Sequence, residues 1–575
     1  MLSARRLVAA GFSAALVAGL ATVAALAAEQ PLDATRQIDD IFAAWNHDDG
    51  PGCAVSVTRG DRIQYAKGYG VANLEYGIPI TPSTVFHVAS ISKQFTAMSV
   101  ALLVADGRVS WDDDIRRYVP ELADLGPSIT LRHLAHHTSG IRDQWSLLRM
   151  AGWRWGADIV RQADVLDVLS RQTALNFAPG REYLYSNSGY TLLAVVVERV
   201  SGLSLRTFTQ QRLFKPLGMN STQFRDDNTM IVRNRAFAYE PDGPNEYRIN
   251  IPAFDVVGAT SLFTTVEDLA HWNQNFETAD VGGPAVIRQL QEMGTLSTGE
   301  RISYAFGLIH DTYRGRRIVS HGGTDAGYRS EFVRVTDENL AVAVLCNVGT
   351  ADPGRLARAV VDIVVQPVAS ETTAASEAVG LSASAGATRS GTEGDAESPW
   401  LEVELPPVAG YYQREESDVP LHIVARGDEL VLLANGTAQL LHPLGPGRFR
   451  LAGSATEATF DLGNNESAAT LNLSGPTQAA YTQTIPVRPS TDTLASYAGS
   501  YYSNELAVQY TFRVENGRLT LWNRKLGHIQ MIPTFADAFY AEGWYFTFRR
   551  DGDGEVSGFT MSTPRAWKVA FRKFI

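Results

Sequence analysis

Apolar residues recur at helical spacing early in the chain. Phe95, Met98, Leu102 and Leu103 line one face, and Gly107 supplies a stop, which predicts a helix starting near Ser90. Upstream, Ile38, Ile41, Phe42 and Trp45 make the stripe of another helix within 29–50, ended by Gly50-Pro51-Gly52. The period then shortens. Ala54 to Thr58 and Arg62 to Gly68 read as two strands joined at Gly60-Asp61. Leu131 onward reads as a helix closed by Thr138-Ser139-Gly140, and Leu192 to Val200 as a strongly apolar helix. Thr265 caps a further helix, with Glu267 and Asp268 in its first turn. Arg317 to Thr324 predicts a strand ending at the glycine pair Gly322-Gly323. Tyr328 to Val335 and Leu340 to Cys346 predict two more.

The pattern breaks at both ends of this region. Residues 1–28 carry Arg5 and Arg6, an apolar run from Leu7 to Leu26, and Ala25-Leu26-Ala27 as a cleavage site, the form of a signal peptide. An uncleaved anchor is the alternative. Residues 370–399 are Ser-, Thr-, Ala-, Gly- and Glu-rich without a hydrophobic period, which predicts a flexible linker. The tail then repeats itself. Val408-Ala409-Gly410-Tyr411-Tyr412 matches Tyr497-Ala498-Gly499-Ser500-Tyr501, and Arg426 to Leu432 matches Glu515 to Leu521. Short alternating strands with turns between them predict an antiparallel barrel in each copy, 400–488 and 489–575, since closure removes exposed edges.

Composition narrows the partners. The chain has 575 residues, 45% of them hydrophobic, and a formal charge of −12. Nucleic acid is disfavoured, because binding it needs a basic face. After 1–28, no segment is long and apolar enough to span a membrane. The two cysteines, Cys53 and Cys346, form neither a metal pattern nor a disulfide scaffold. Buried thiols and a single bridge both remain open. Trp145, Trp153 and Trp155 either line a cleft or pack a cap.

Candidate chemistry centres on Ser90 and Lys93, which share a helix face one turn apart. A serine becomes a nucleophile when a base takes its proton, and a lysine can do so once its pKa is lowered. A lone Ser-x-x-Lys is also what a capped surface helix contains. Of the chain's six lysines, however, only Lys93 has a serine three residues before it. Tyr185 and Asn187 point the same way from a segment expected to be extended. The phenol can shuttle a proton and the amide can fix a carbonyl. His321, Gly323 and Thr324 end a strand where glycine admits a ligand close to the backbone. His136 and His137 are adjacent but lack a ligand partner at metal-binding spacing, so no metal is expected.

Ser90-x-x-Lys93, Tyr185-x-Asn187 and His321-x-Gly323, in that order, resemble the penicillin-recognising serine hydrolases: class C β-lactamases, DD-peptidases, related esterases and D-aminopeptidases. His137-Thr138-Ser139-Gly140 and the Gly323-Thr324-Asp325-Ala326-Gly327-Tyr328 stretch strengthen the likeness, which covers about 35–365. It implies an α+β domain over 29–369, an antiparallel sheet flanked by helices. It also implies that Ser90 forms an acyl-enzyme with Lys93 and Tyr185 sharing the base work. Asn187 would orient the substrate and His321 would line the opposite wall. The Ser90 and Thr324 backbone N–H groups would hold the oxyanion. No cofactor is implied. His321 stands where familiar members carry lysine and would be only partly charged near neutral pH. With two tail barrels, this resembles the D-aminopeptidase group, which implies a small-molecule or short-peptide substrate. Esterase, β-lactamase or DD-peptidase activity, or a non-catalytic sensor, are the alternatives, and cell-wall material is a further candidate partner. The resemblance also sets the Cys53 and Cys346 strands side by side, near enough to bridge. Export to the periplasm or medium follows from the signal peptide.

Overall fold

The computed structural model describes residues 34–365 and 408–574, apart from 428, 435–436, 453, 455, 462–468 and 476–477. The 1–28 segment and the 370–399 linker lie outside the described residues. Period-two alternation is clearest in the strands Cys53–Arg59 and Leu340–Cys346. Cys53, Val55, Val57, Val342, Val344 and Cys346 face one side. There they pack with Ile38 and Phe42 near the N-terminus and with Leu356 and Val360 of the helix Pro353–Val364. Ala54, Ala341, Ala343 and Leu345 face the other side, in the core that holds Phe95, Met98 and Leu269.

Strands covered on both faces belong at the centre of a sheet, and these two pair antiparallel there. The six strands run in the order Ile309–Tyr313, Arg316–Asp325, Tyr328–Val335, Leu340–Cys346, Cys53–Arg59, Arg62–Tyr69. Every pairing is antiparallel. Cys53 sits directly opposite Cys346, with Cα atoms 4.0 Å apart, and the two are disulfide-bonded.

One strand departs from expectation. Arg316–Asp325 runs through the glycine pair instead of ending at it. The glycines let it pass close to the turn that carries Ser90. A Cβ built on Gly323 would lie 2.2 Å from the Val88 carbonyl oxygen and 2.3 Å from Ser330 Oγ. Any side chain there would push the strand off that turn.

The helix Ser92–Ala105 is buried from Ser92 through Leu103. A helix buried on every side is enclosed by other elements, and Asn187–Ser201 packs against it. It ends as Gly107 predicts. Gly107 adopts φ +69, and its N–H and that of Arg108 reach back to the carbonyls of Val104 and Leu103.

The tail forms two antiparallel β domains. Eight strands from Gly410 to Thr484 close into a barrel. The second unit opens with the helix Thr491–Ser496 and has nine strands from Gly499 to Lys573. Here hydrogen bonding leaves a seam, where full closure was expected. The strands at the seam, Gly527–Gln530 and Ile532–Pro533, are consecutive and separated only by Met531, so one stretch of chain borders it on both sides. The repeat is structural as well as textual. Tyr412 Oη donates to the Val408 carbonyl at 2.9 Å, and Tyr501 Oη to the Tyr497 carbonyl at 2.8 Å.

Both β domains dock on the N-terminal domain. The core of the second is continuous with the N-terminal core, whereas the first keeps its own. Arg414 of the first barrel forms a two-pronged ion pair with Glu182, at 3.0 and 2.9 Å. Arg142 pairs with Glu505 of the second β domain. The turn at Pro564-Arg565 is clamped to the N-terminal domain. The Arg565 carbonyl accepts from Asp143 N and from Asn176 Nδ2, each at 3.0 Å, and Trp567 N donates to Asn176 Oδ1 at 2.8 Å.

Candidate active site

Ser90 occupies a short 3-10 turn, Ala89–Ile91, immediately before the buried helix. Ala89 is held at φ +47. His137 at φ +59 and Ser261 at φ +74 are also in this conformation. For residues with a Cβ it costs about 1–3 kcal/mol, and such strain persists where the surroundings fix it. His137 is fixed by Ser186 N, which donates to its Nδ1 at 3.2 Å, and Ser261 by its Oγ bond to the Val256 carbonyl at 2.6 Å.

Lys93 follows on the first turn of the helix and is fully buried. Its Nζ lies 3.1 Å from Ser90 Oγ, 2.9 Å from Asn187 Oδ1 and 2.8 Å from the Ala259 carbonyl. Burial drives its pKa well below the usual lysine range. Arg565 adds to that shift, while Asp143 and Asp325 oppose it. A neutral amine has two N–H donors and one lone pair. Asn187 Oδ1 and the Ala259 carbonyl take the donors, which leaves the lone pair for the Ser90 hydroxyl proton.

Asn187 starts the helix Asn187–Ser201, where an extended segment is expected, and Ser186 just before it is extended. Its amide is oriented by Asp143, a residue that sequence reasoning missed. Asp143 Oδ2 accepts from Asn187 N at 2.8 Å and from Asn187 Nδ2 at 2.9 Å. Asp143 Oδ1 caps the helix Gln144–Met150 through Trp145 N and Ser146 N. With the amide NH₂ turned to a carboxylate, Asn187 must present its oxygen to Lys93.

Tyr185 lies beside this group, with its ring 4.8 Å from Lys93 Nζ. Burial raises its pKa further above the usual phenol range, although a hydrogen bond with Ser90 and the nearby Arg565 oppose the rise. The phenol therefore holds its proton at neutral pH, and Lys93 is the better base of the two. His321 stands across the site, its ring 6.2 Å from that of Tyr185. Its Nε2 meets Tyr304 Oη at 3.0 Å and its Nδ1 the Gly322 carbonyl at 2.7 Å. Burial, and next the Lys93 amine, lower its pKa to about 3. His321 is thus neutral near pH 7, not partly charged as its sequence position implied. Thr324 follows on the same strand, paired with Arg329. Of the tryptophans, Trp145 packs on Trp155 and Phe254, with centroids 5.1 and 5.2 Å away, and Trp155 is half exposed.

His87 and His136 are likewise buried, and burial lowers each pKa to about 3. His133 and His137 shift the same way. A folded-state pKa below the unfolded value of 6.5 means that the unfolded chain binds protons the native state refuses. This contribution to stability is complete above pH 6.5 and is lost as pH falls toward about 3. Asp325 and Glu331, raised by burial to about 6 and 7, act in the opposite sense but are outnumbered. We expect the N-terminal domain to lose about 2 kcal/mol or more between pH 7 and pH 4. Urea midpoints measured across that range test this, and a flat profile would contradict it.

The five side chains brought together are thus Ser90, Lys93, Tyr185, Asn187 and His321, with Gly323 securing the strand behind them. The geometry has counterparts in known proteins. A D-aminopeptidase of Gluconobacter oxydans is 31% identical over 301 residues, 52% of this chain and 56% of that protein. A D-aminopeptidase of Brucella anthropi is 29% identical over 302 residues, 52% of this chain and 57% of that protein. The chain therefore spans a little over half the length of these relatives. The octameric penicillin-binding protein homologue from Pyrococcus abyssi shares the fold, with a TM-score of 0.51 at 22% identity. That match covers 78% of this chain and 99% of the other. The Beta-lactamase family model matches residues 35–365. By that match over more than half its length, the chain belongs to the Beta-lactamase family.

Proposed function

We propose that the protein is a serine hydrolase that cleaves amide or ester bonds through an acyl-enzyme on Ser90, with D-amino-acid peptides or amides as its substrate class. The observation that carries the reaction type is the fully buried Lys93 amine, its Nζ 3.1 Å from Ser90 Oγ and its pKa driven down by that burial. The substrate class is supported by the D-aminopeptidases among the relatives. Lys93 takes the hydroxyl proton as Ser90 Oγ bonds to the carbonyl carbon. The N–H groups of Ser90 and Thr324 hold the resulting oxyanion. Tyr185, still protonated, passes a proton to the leaving group and is restored from Lys93. Water then repeats the sequence in reverse and releases the acid. Asn187 holds Lys93 and His321 lines the far wall. We place the enzyme outside the cytoplasm, a setting supported by the Cys53–Cys346 bond, since disulfides persist in oxidising compartments.

The test is turnover of paired p-nitrophenyl esters and D- and L-amino-acid p-nitroanilides, with mass spectrometry of the acid-quenched protein. We expect a D-selective anilidase activity and an acyl adduct on the Ser90 peptide. An adduct elsewhere would refute the mechanism, and equal rates on both enantiomers would refute the substrate class.

A further inference from the structure

Arg565 belongs to the second β domain, 475 residues downstream of Ser90, yet its guanidinium carbon lies 5.1 Å from the centroid of the Tyr185 ring. The backbone of its turn is pinned. The Arg565 carbonyl accepts from Asp143 N and Asn176 Nδ2, its own N–H donates to Thr563 Oγ1, and Trp567 N donates to Asn176 Oδ1. The side chain is different. Among the described residues the guanidinium makes no hydrogen bond and no ion pair, although it is partly buried.

Asp143 is near but already accepts four N–H groups, from Asn187 N, Asn187 Nδ2, Trp145 and Ser146. Asp325 is committed to Thr260 Oγ1 at 3.1 Å. The field of Arg565 reaches Tyr185, Lys93 and His137 alike. A guanidinium has five donors and is always charged. Fixed at its base, with its head against the Tyr185 ring and no carboxylate of the described residues paired to it, it is arranged to meet an anion. His321, its pKa lowered to about 3 by burial, is neutral near pH 7, and the Lys93 amine is buried and already engaged with Ser90 Oγ, Asn187 Oδ1 and the Ala259 carbonyl, so neither offers that fixed charge.

We infer that Arg565 is the specificity-determining cation of the site, and that the preferred substrate carries a free carboxylate on the portion lodged beside Tyr185. This rests on the acyl-enzyme reading above and sharpens it. Among D-amino-acid substrates, acidic ones are preferred to those that present a free amine, because a bare cation repels an ammonium and binds a carboxylate in two-pronged fashion.

The experiment compares kcat/KM on charged and neutral isosteres. On the acyl side the pair is p-nitrophenyl hydrogen succinate and p-nitrophenyl methyl succinate. On the leaving-group side the pair is an acetyl-D-alanyl depsipeptide of D-lactate and its D-lactamide. We expect at least one acid to exceed its neutral partner by about tenfold to a hundredfold, as for a charge-assisted hydrogen bond. Arg565→Gln should erase that ratio and Arg565→Lys should keep part of it. Arg565→Glu should reverse it, and should raise the rate on D-alanine p-nitroanilide relative to its N-acetyl form. Loss of packing alone would lower all rates and move none of these ratios. A fluorophosphonate that labels Ser90 in each variant shows the nucleophile to be in place. With labelling intact, no preference in either pair, or a preference that survives Arg565→Gln, overturns the inference. Absent labelling in the wild-type chain overturns the acyl-enzyme reading instead.

Discussion

Ser90→Ala is expected to lower turnover by about 10⁴-fold or more, and Lys93→Met by a similar factor, because the nucleophile and its base act as one unit. The same reasoning makes the double variant no worse than either single one. Lys93 Nζ is 3.1 Å from Ser90 Oγ and its other two contacts are acceptors. Removing the amine therefore leaves the serine without a base and leaves Asn187 Oδ1 and the Ala259 carbonyl without a donor. The second loss affects stability by about 1–3 kcal/mol. It is offset in part by the removal of an amine that burial disfavours when charged, so circular dichroism should find the variant folded. Tyr185→Phe should cost less than Lys93→Met. Burial raises the Tyr185 pKa while lowering that of Lys93, which makes the lysine the better base of the two. Activity should accordingly fall on the acid side as Lys93 takes up a proton, and that limb should vanish in Lys93→Met. Steady-state rates of the three variants decide the matter. A Tyr185→Phe loss larger than that of Lys93→Met would move the base to the tyrosine.

The parts of this site that were legible in the sequence are those set by local spacing. Ser90 and Lys93 are one turn apart, and the short apolar runs Ala54 to Thr58 and Leu340 to Cys346 announce strands, whereas their burial on both faces is set by the helices packed on either side. Asp143 was not legible. In the sequence it is one more helix-capping aspartate, and its bond to Asn187 spans 44 residues. Arg565 was hidden for a similar reason, since a Pro-Arg turn between two strands reads as ordinary surface. The glycine pair misled because glycine in a strand usually marks an end, whereas here the Val88 carbonyl occupies the space a Cβ would need. The charge of His321 was misjudged because sequence gives the residue type but not its enclosure. The repeat predicted two barrels correctly in kind, but the break at Met531 between the two edge strands of the second has no counterpart in the matched segments.

Arg414→Ala is expected to destabilise the docked arrangement by about 3 kcal/mol, the lower end of the range for a broken buried ion pair. Arg414 and Glu182 are each 4% exposed and meet through both carboxylate oxygens, so the substitution strands a carboxylate away from water. The lower end applies because Arg181, itself half exposed, stays 3.9 Å from Glu182 and can turn inward. Arg414 also lies 4.8 Å from the Trp567 ring, two residues from Arg565. The pair thus joins three pieces: the loop leading to Tyr185, the first barrel, and the turn of the second β domain. Glu182→Leu combined with Arg414→Leu should recover most of the lost stability, since the cost lies in leaving one charge unpaired and not in the absence of the pair. The recovery should not extend to function. Leucines fill the space but do not hold the loop and the Trp567 side chain in register, so the preference governed by Arg565 should weaken in the double variant. Denaturation midpoints and the acid-to-neutral rate ratio, measured on the wild type, Arg414→Ala and the double variant, separate these effects. If Arg414→Ala unfolded at the wild-type midpoint, the pair would be an ornament of docking and not its anchor.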